Sequence, residues 1–164
     1  MGIFVSSQAD LIAMINVASG VTFTASDLVF GTPRAATSAE ITQYGKNTAI
    51  PVRGSDTSTL VSGSTLFFYD RLNLQPLEKF DLTTCYCSDG LAMAAWVPIV
   101  TNYLNVPLTV GNLVEHASST VNGKVTVQLE ATAASLGWFG TATLKFGGYP
   151  DIATAFSDNK LTGF

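Results

Sequence analysis

Apolar positions along the chain change period several times, and each change marks an element. After Ser6-Ser7, Leu11, Ile12, Met14, Ile15 and Ala18 recur at helical spacing. Ser7 stands where a cap is needed, Asp10 falls in the first turn, and Gly20 closes the helix. A short extended piece, Val21-Thr22-Phe23, leads into Thr24-Ala25-Ser26-Asp27. This reads as a second cap, opening one helical turn that carries Leu28 and Val29. Thr48, Ile50 and Val52 alternate with Ala49, Pro51 and Arg53, the pattern of a half-buried strand. Gly63 opens a further strand, Ser64 to Tyr69, across the loop Gly54 to Ser62. Pro51 has no N–H to give a ladder, so the first of these strands is expected at a sheet edge, where another chain would find open pairing groups.

The series then repeats. Following Ser88-Asp89-Gly90, Leu91, Ala95, Trp96, Ile99, Val100 and Tyr103 form one broad apolar side. Pro98 predicts a kink there, or a helix that starts near Val97. A slide of 85 positions aligns the two helices and their capped turns without a gap: Phe23 meets Leu108, Thr24 meets Thr109, Leu28 meets Leu113. The strands match at 77 positions, because a longer loop lies between Gly31 and Lys46. Val125, Val127 and Leu129 alternate, and Gly140 opens Thr141 to Phe146 across the loop Ala131 to Gly137. The expected fold is α+β and β-rich: two related helix–turn–β-hairpin halves, residues 1–88 and 89–164, packed into one compact domain. A hairpin and one helix bury too little surface to stand alone, so the halves are expected to share a core or pair with a neighbour. The tail from Ala155 ends in apolar Leu161 and Phe164 and reads as an arm onto a neighbouring subunit or, more plainly, as a frayed end.

Composition sharpens this picture. Only 12% of the 164 residues are charged and the net charge is −4, which excludes a basic nucleic-acid footprint. Polarity comes from 14 Ser and 20 Thr instead, and a hydroxyl surface repels neighbours weakly, as suits a packed subunit. No stretch is apolar enough to span a bilayer, and Met1 to Ser7 carry no signal-peptide pattern, so assembly in a cytoplasm is expected.

Candidate chemistry is sparse. Cys85 and Cys87 would face one side of a strand, a poor geometry for a mutual disulfide; a bond between subunits stays open. With one histidine, His116, they form no zinc spacing. The densest charges are Asp70, Arg71, Glu78, Lys79 and Asp81. Asp70 with Glu78 is the optimistic acid–base pair, and the plainer reading is a strand end where Arg71 bonds a carboxylate or a free carbonyl. No catalytic, cofactor or metal residues are assigned, and the chain is not read as an enzyme. Phe67-Phe68-Tyr69 and Trp138-Phe139 put rings on both faces of a strand, which means a central position or cover by a partner. The rival use is a carbohydrate platform, with Trp138 as its best candidate.

The run Asp10-Leu11-Ile12 to Asn16, Phe23 to Leu28, Phe30-Gly31-Thr32-Pro33, Asn47-Thr48 and Tyr69 to Leu74 resembles a domain of virion structural proteins from large tailed bacteriophages. Leu108-Thr109 and Asn112-Leu113-Val114 resemble its second half. The resemblance implies a particle component in the virion, assembled in the host bacterial cytoplasm. A head decoration protein is expected first, and a neck, tail or baseplate protein next. A receptor- or glycan-binding β module is the alternative. The implied partners are copies of the chain and other virion proteins, the major capsid protein or tail and neck subunits, with no nucleic acid and no membrane.

Overall fold

A computed structural model describes residues 4–121 and 124–147. Helix α1 (Gln8–Ser19) forms where the sequence places it. The Ser7 hydroxyl accepts from the Asp10 N–H, and the Asp10 carboxylate accepts from the Ser7 N–H. Gly20 ends the helix in the left-handed region at φ 70°. Strand β1 (Leu28–Phe30) replaces the helical turn expected at Leu28 and Val29. The Asp27 carboxylate turns back to accept from Thr24 N and Oγ1, which stops the turn at Asp27. Three large apolar residues are then free to pair as a strand.

Strand β2 (Arg34–Ala35) and helix α2 (Ser38–Tyr44) fill the longer loop of the first half. Strands β3 (Thr48–Gly54) and β4 (Ser64–Tyr69) form the expected antiparallel hairpin. Next come β5 (Leu72–Asn73), a 3-10 turn (Gln75–Lys79) and β6 (Leu82–Tyr86). Helix α3 (Met93–Leu104) begins at Met93 rather than Val97, with Pro98 inside it. Pro98 and Ala94, whose carbonyl loses its helical donor to that proline, are both exposed to water. Met93, Trp96, Val97 and Val100 form the buried stripe, not Leu91, Ala95 and Tyr103. A second 3-10 turn (Val110–Asn112), β7 (Ser119–Val121), β8 (Lys124–Glu130), β9 (Trp138–Phe139) and β10 (Thr141–Gly147) complete the described chain.

The architecture is α+β and β-rich. The chain divides into two compact units. One holds residues up to Gln75 with Gly111–Val114 and Glu130–Thr141; the other holds Pro76–Val110, Glu115–Leu129 and residues from Ala142. In the first unit β3 is central, flanked by β4 on one side and by β1 and β2 on the other. This corrects the edge position expected from Pro51. The Gly31 N–H donates to the Pro51 carbonyl, and a strand residue's N and C=O point to the same side. The missing N–H of Pro51 therefore faces the gap where β1 ends at Phe30↔Val52 and β2 begins at Arg34↔Ala49. No ladder bond is lost there. Leu11, Ile12 and Ile15 of α1 pack with Leu28, Ile50, Val52 and Tyr69 to form the core. In the second unit the strand order is β6-β10-β8-β7, with β6 parallel to β10. The Trp96 indole, fully buried on α3, donates to the His116 carbonyl at 2.9 Å.

Elements recur at the two spacings read from the sequence. Helices α1 and α3 have 12 residues each and begin 85 positions apart. Their buried residues Leu11, Ile12, Ile15 and Trp96, Val97, Val100 are also 85 apart. Both end in a left-handed residue, Gly20 and Asn105. Asn16 Nδ2 donates to the Phe23 carbonyl, and 85 positions on Thr101 Oγ1 donates to the Leu108 carbonyl. The Gly54 N–H donates to the Gly63 carbonyl, and 77 positions on the Ala131 N–H donates to the Gly140 carbonyl. Gly63 and Gly140 take φ of 81° and 82°, a conformation that disfavours a side chain.

Candidate functional site

Among the described residues strand β4 pairs on one side only, with β3, and its other edge is open. The Gly54–Gly63 bond fixes the phase of the ladder. Pairs Val52↔Thr65, Ile50↔Phe67 and Thr48↔Tyr69 exchange main-chain bonds with β3, so the N–H and C=O of Ser64, Leu66 and Phe68 point outward. Among the described residues none of these outward groups has a main-chain partner. The edge Ser64–Tyr69 contains no charge and no proline, the usual guards against strand addition.

Beside this edge the core face is incompletely filled. Thr65 is exposed and Phe67 half-buried. A cavity of about 250 Å³ is lined by Ile15, Phe23, Val61, Thr65 and Phe67. A second cavity of about 120 Å³ is lined by Leu11, Met14, Ile15, Phe67 and Tyr69. Ile15 and Phe67 border both, so an apolar groove follows β4 along α1. On the opposite face Val29, Pro51 and Leu66 are exposed. There Tyr44 of α2 stacks on Phe68 with centroids 4.0 Å apart. This arrangement offers backbone pairing groups and apolar pockets to an extended segment.

The charged residues singled out in the sequence do other work. Asp70 pairs with Lys46 at 2.8 Å and accepts from the Asn47 N–H; the Lys46 bond holds its carboxyl below the ordinary range. Arg71 is 8% exposed, and it bonds carbonyls. Its guanidinium donates to Thr48 Oγ1 and to the carbonyls of Ser135 and Trp138, tying the segment before β9 to β3. Burial pulls its pKa down. Glu78 accepts from the Thr143 N–H. Glu78, Lys79, Asp81, Lys124 and Lys145 border an open polar cleft of about 540 Å³. Thr83 bonds hold Asp81 below the usual carboxylate range.

Trp138 is 2% exposed and packs on Phe4 with centroids 5.6 Å apart, so it presents no ring face to a sugar. Cys85 lies on β6 and Cys87 just beyond it, both as free thiols whose pKa burial raises. His116 is half-buried in the loop before β7, where its carbonyl receives Trp96. No three His, Cys, Asp or Glu side chains converge among the described residues. No helix there is long and apolar enough to cross a membrane.

Two features escaped the sequence reading. Thr37-Ser38-Ala39-Glu40 is a second capping box, and the Thr-x-x-Glu spacing was its signal. Arg34 clamps Glu40 through two bonds at 2.7 and 2.8 Å, pulling the Glu40 pKa down to about 2. The second feature is Tyr69, whose buried hydroxyl has no hydrogen-bond partner among the described residues. Nothing in its neighbours along the sequence signals that.

The fold is α+β, and among the described residues strand β4 pairs only with β3. Residues 1–164 match a family of unknown function, DUF7941, and the chain belongs to that family. No curated protein and no solved structure matches it.

Proposed function

We propose that the protein is a structural component of a tailed bacteriophage virion, a head decoration protein that works by contacts between subunits. The open β4 edge with its apolar groove is the observation that supports a contact role. A strand edge left without charge, proline or cover is a pairing surface, and most proteins avoid one. The hydroxyl-rich, weakly charged composition fits the same role, since crowded copies then repel little. The virion assignment rests on the resemblance carried by Asp10 to Asn16, Phe23 to Leu28 and Tyr69 to Leu74. The partners would be copies of this chain and the major capsid protein, or tail and neck subunits.

The test is co-sedimentation of the purified chain with emptied phage heads and, separately, with tails. Saturable binding to heads supports decoration. Binding to tails alone moves the protein to the neck, tail or baseplate. A chain that ignores both particles refutes the proposal.

A further inference from the structure

The two hairpins differ at the outer edge of the last strand. Strand β10 stands 77 positions after β4, and β6 covers its edge in parallel. Its core-face residues Ala142, Leu144 and Phe146 are 1%, 1% and 0% exposed. Their counterparts 77 positions earlier are Thr65, exposed, Phe67, half-buried, and Tyr69. The outward N–H of Thr143 is taken by Glu78 Oε1 at 2.8 Å. Its counterpart, the outward N–H of Leu66, has no main-chain partner among the described residues. The groove lined by Ile15 and Phe67 lies along the edge that no described strand covers.

Strand β6 comes from the segment that follows the first hairpin, and it covers the hairpin that comes next in the chain. The segment that follows the second hairpin is residues 148–164, with Ile152, Phe156, Leu161 and Phe164 as its apolar positions. A second copy of the chain presents a first hairpin whose β4 edge no described strand pairs. We infer that a strand from residues 148–164 of one chain adds to the β4 edge of a second copy, with Ile152 and Phe156, an even number of positions apart and so on one face of a strand, entering the groove beside Phe67. The contact is head-to-tail: each chain gives its segment to one copy and receives a segment from another. Such a contact closes into a ring or propagates, according to the rotation between copies. It rests on the contact role proposed above and names the partner at that edge. The edge satisfies main-chain groups by strand addition, and the pockets select alternate side chains.

Complementation between two variants of the full chain tests this. Leu66→Pro removes an N–H that points away from β3, so the receiving edge is lost while the hairpin stays paired. Leu66→Lys is the second receiving variant; the position is 38% exposed and tolerates a charge. Ile152→Asp with Phe156→Asp disables the donated segment. Light scattering during size exclusion reads the mass, and circular dichroism checks the fold.

The expected result is an oligomer for the natural sequence and a monomer for each variant, its association weakened about tenfold or more. A one-to-one mixture of a receiving variant with the donor variant then restores a species of two chains and no larger one, since only one intact contact remains. Oligomers that survive either variant overturn the inference. So does a monomeric natural chain. Protection of the Leu66 amide in that monomer, lost in the donor variant, would mean the segment folds back on its own chain. Co-sedimentation with heads separates the two readings: a monomer that still binds heads refutes this contact and leaves the decoration role standing.

Discussion

Replacing Tyr69 with phenylalanine should stabilise the protein. The residue is 2% exposed, and its hydroxyl has no hydrogen-bond partner among the described residues. A buried polar group left unsatisfied costs about 1–3 kcal/mol. Phenylalanine keeps the ring among Leu11, Ile15, Ile50 and Val52 and removes only the oxygen, so a gain of about 1 kcal/mol is expected. A second signature comes from alkaline pH. Burial pushes the Tyr69 pKa up from 10.0 to about 12, and the positive charge of Arg71 opposes that only in part. A group whose folded pKa is raised contributes stability that is complete below its unfolded value. That stability drains away as pH climbs from about 10 to about 12. Two pH units correspond to about 2–3 kcal/mol. Urea unfolding of both proteins at pH 8 and at steps up to pH 11.5 measures both effects. The variant should be the more stable at pH 8, and the gap should widen above pH 10. A Tyr69→Phe protein less stable at pH 8 by 1 kcal/mol or more, on the order of one hydrogen bond, would refute the reasoning.

Arg71→Ala removes the donor that joins β3 to the Ser135 and Trp138 carbonyls. It should cost about 2–4 kcal/mol in chemical unfolding, and Arg71→Met, which keeps the packing, should cost less. Gly54→Ala sets a methyl group 2.6 Å from the Val61 carbonyl oxygen and 3.0 Å from its carbon. Both are main-chain atoms, so a loss of about 1–3 kcal/mol is expected as a lowered Tm. Glu40 should titrate near 2 by NMR, because Arg34 and the Thr37 N–H favour its charged form. Its folded pKa is depressed, so its contribution to α2 is complete above pH 4.5 and lost as pH falls toward about 2. Glu40→Gln abolishes that dependence.

The helices and hairpins were legible because each carries its own local signal. Ser7 with Asp10, Gly20, and the alternation at Thr48, Ile50 and Val52 act through near neighbours. The edge strand was misread because Pro51 reports only a missing donor. Whether that matters depends on the break between β1 and β2, more than ten residues upstream of it. The α3 stripe was read as too wide: Leu91 lies before the helix, and the choice of Val97 over Ala95 is made by packing. Arg71 was correctly read as a group that seeks a carboxylate or a carbonyl. Its partners Ser135 and Trp138 lie more than sixty residues away, where no spacing rule reaches. The open groove was illegible for the same reason, since it is the difference between a covered and an uncovered edge.

The claim that the β4 edge is a contact surface has one direct measurement, amide hydrogen exchange on the full chain, free in dilute solution and bound in assembled particles. Ser64, Leu66 and Phe68 point their N–H groups outward, whereas Thr65, Phe67 and Tyr69 bond to β3. The first three amides should exchange quickly in the free chain and become protected on assembly. The other three should be protected in both states. Outward amides that exchange equally fast in the particle would contradict the account.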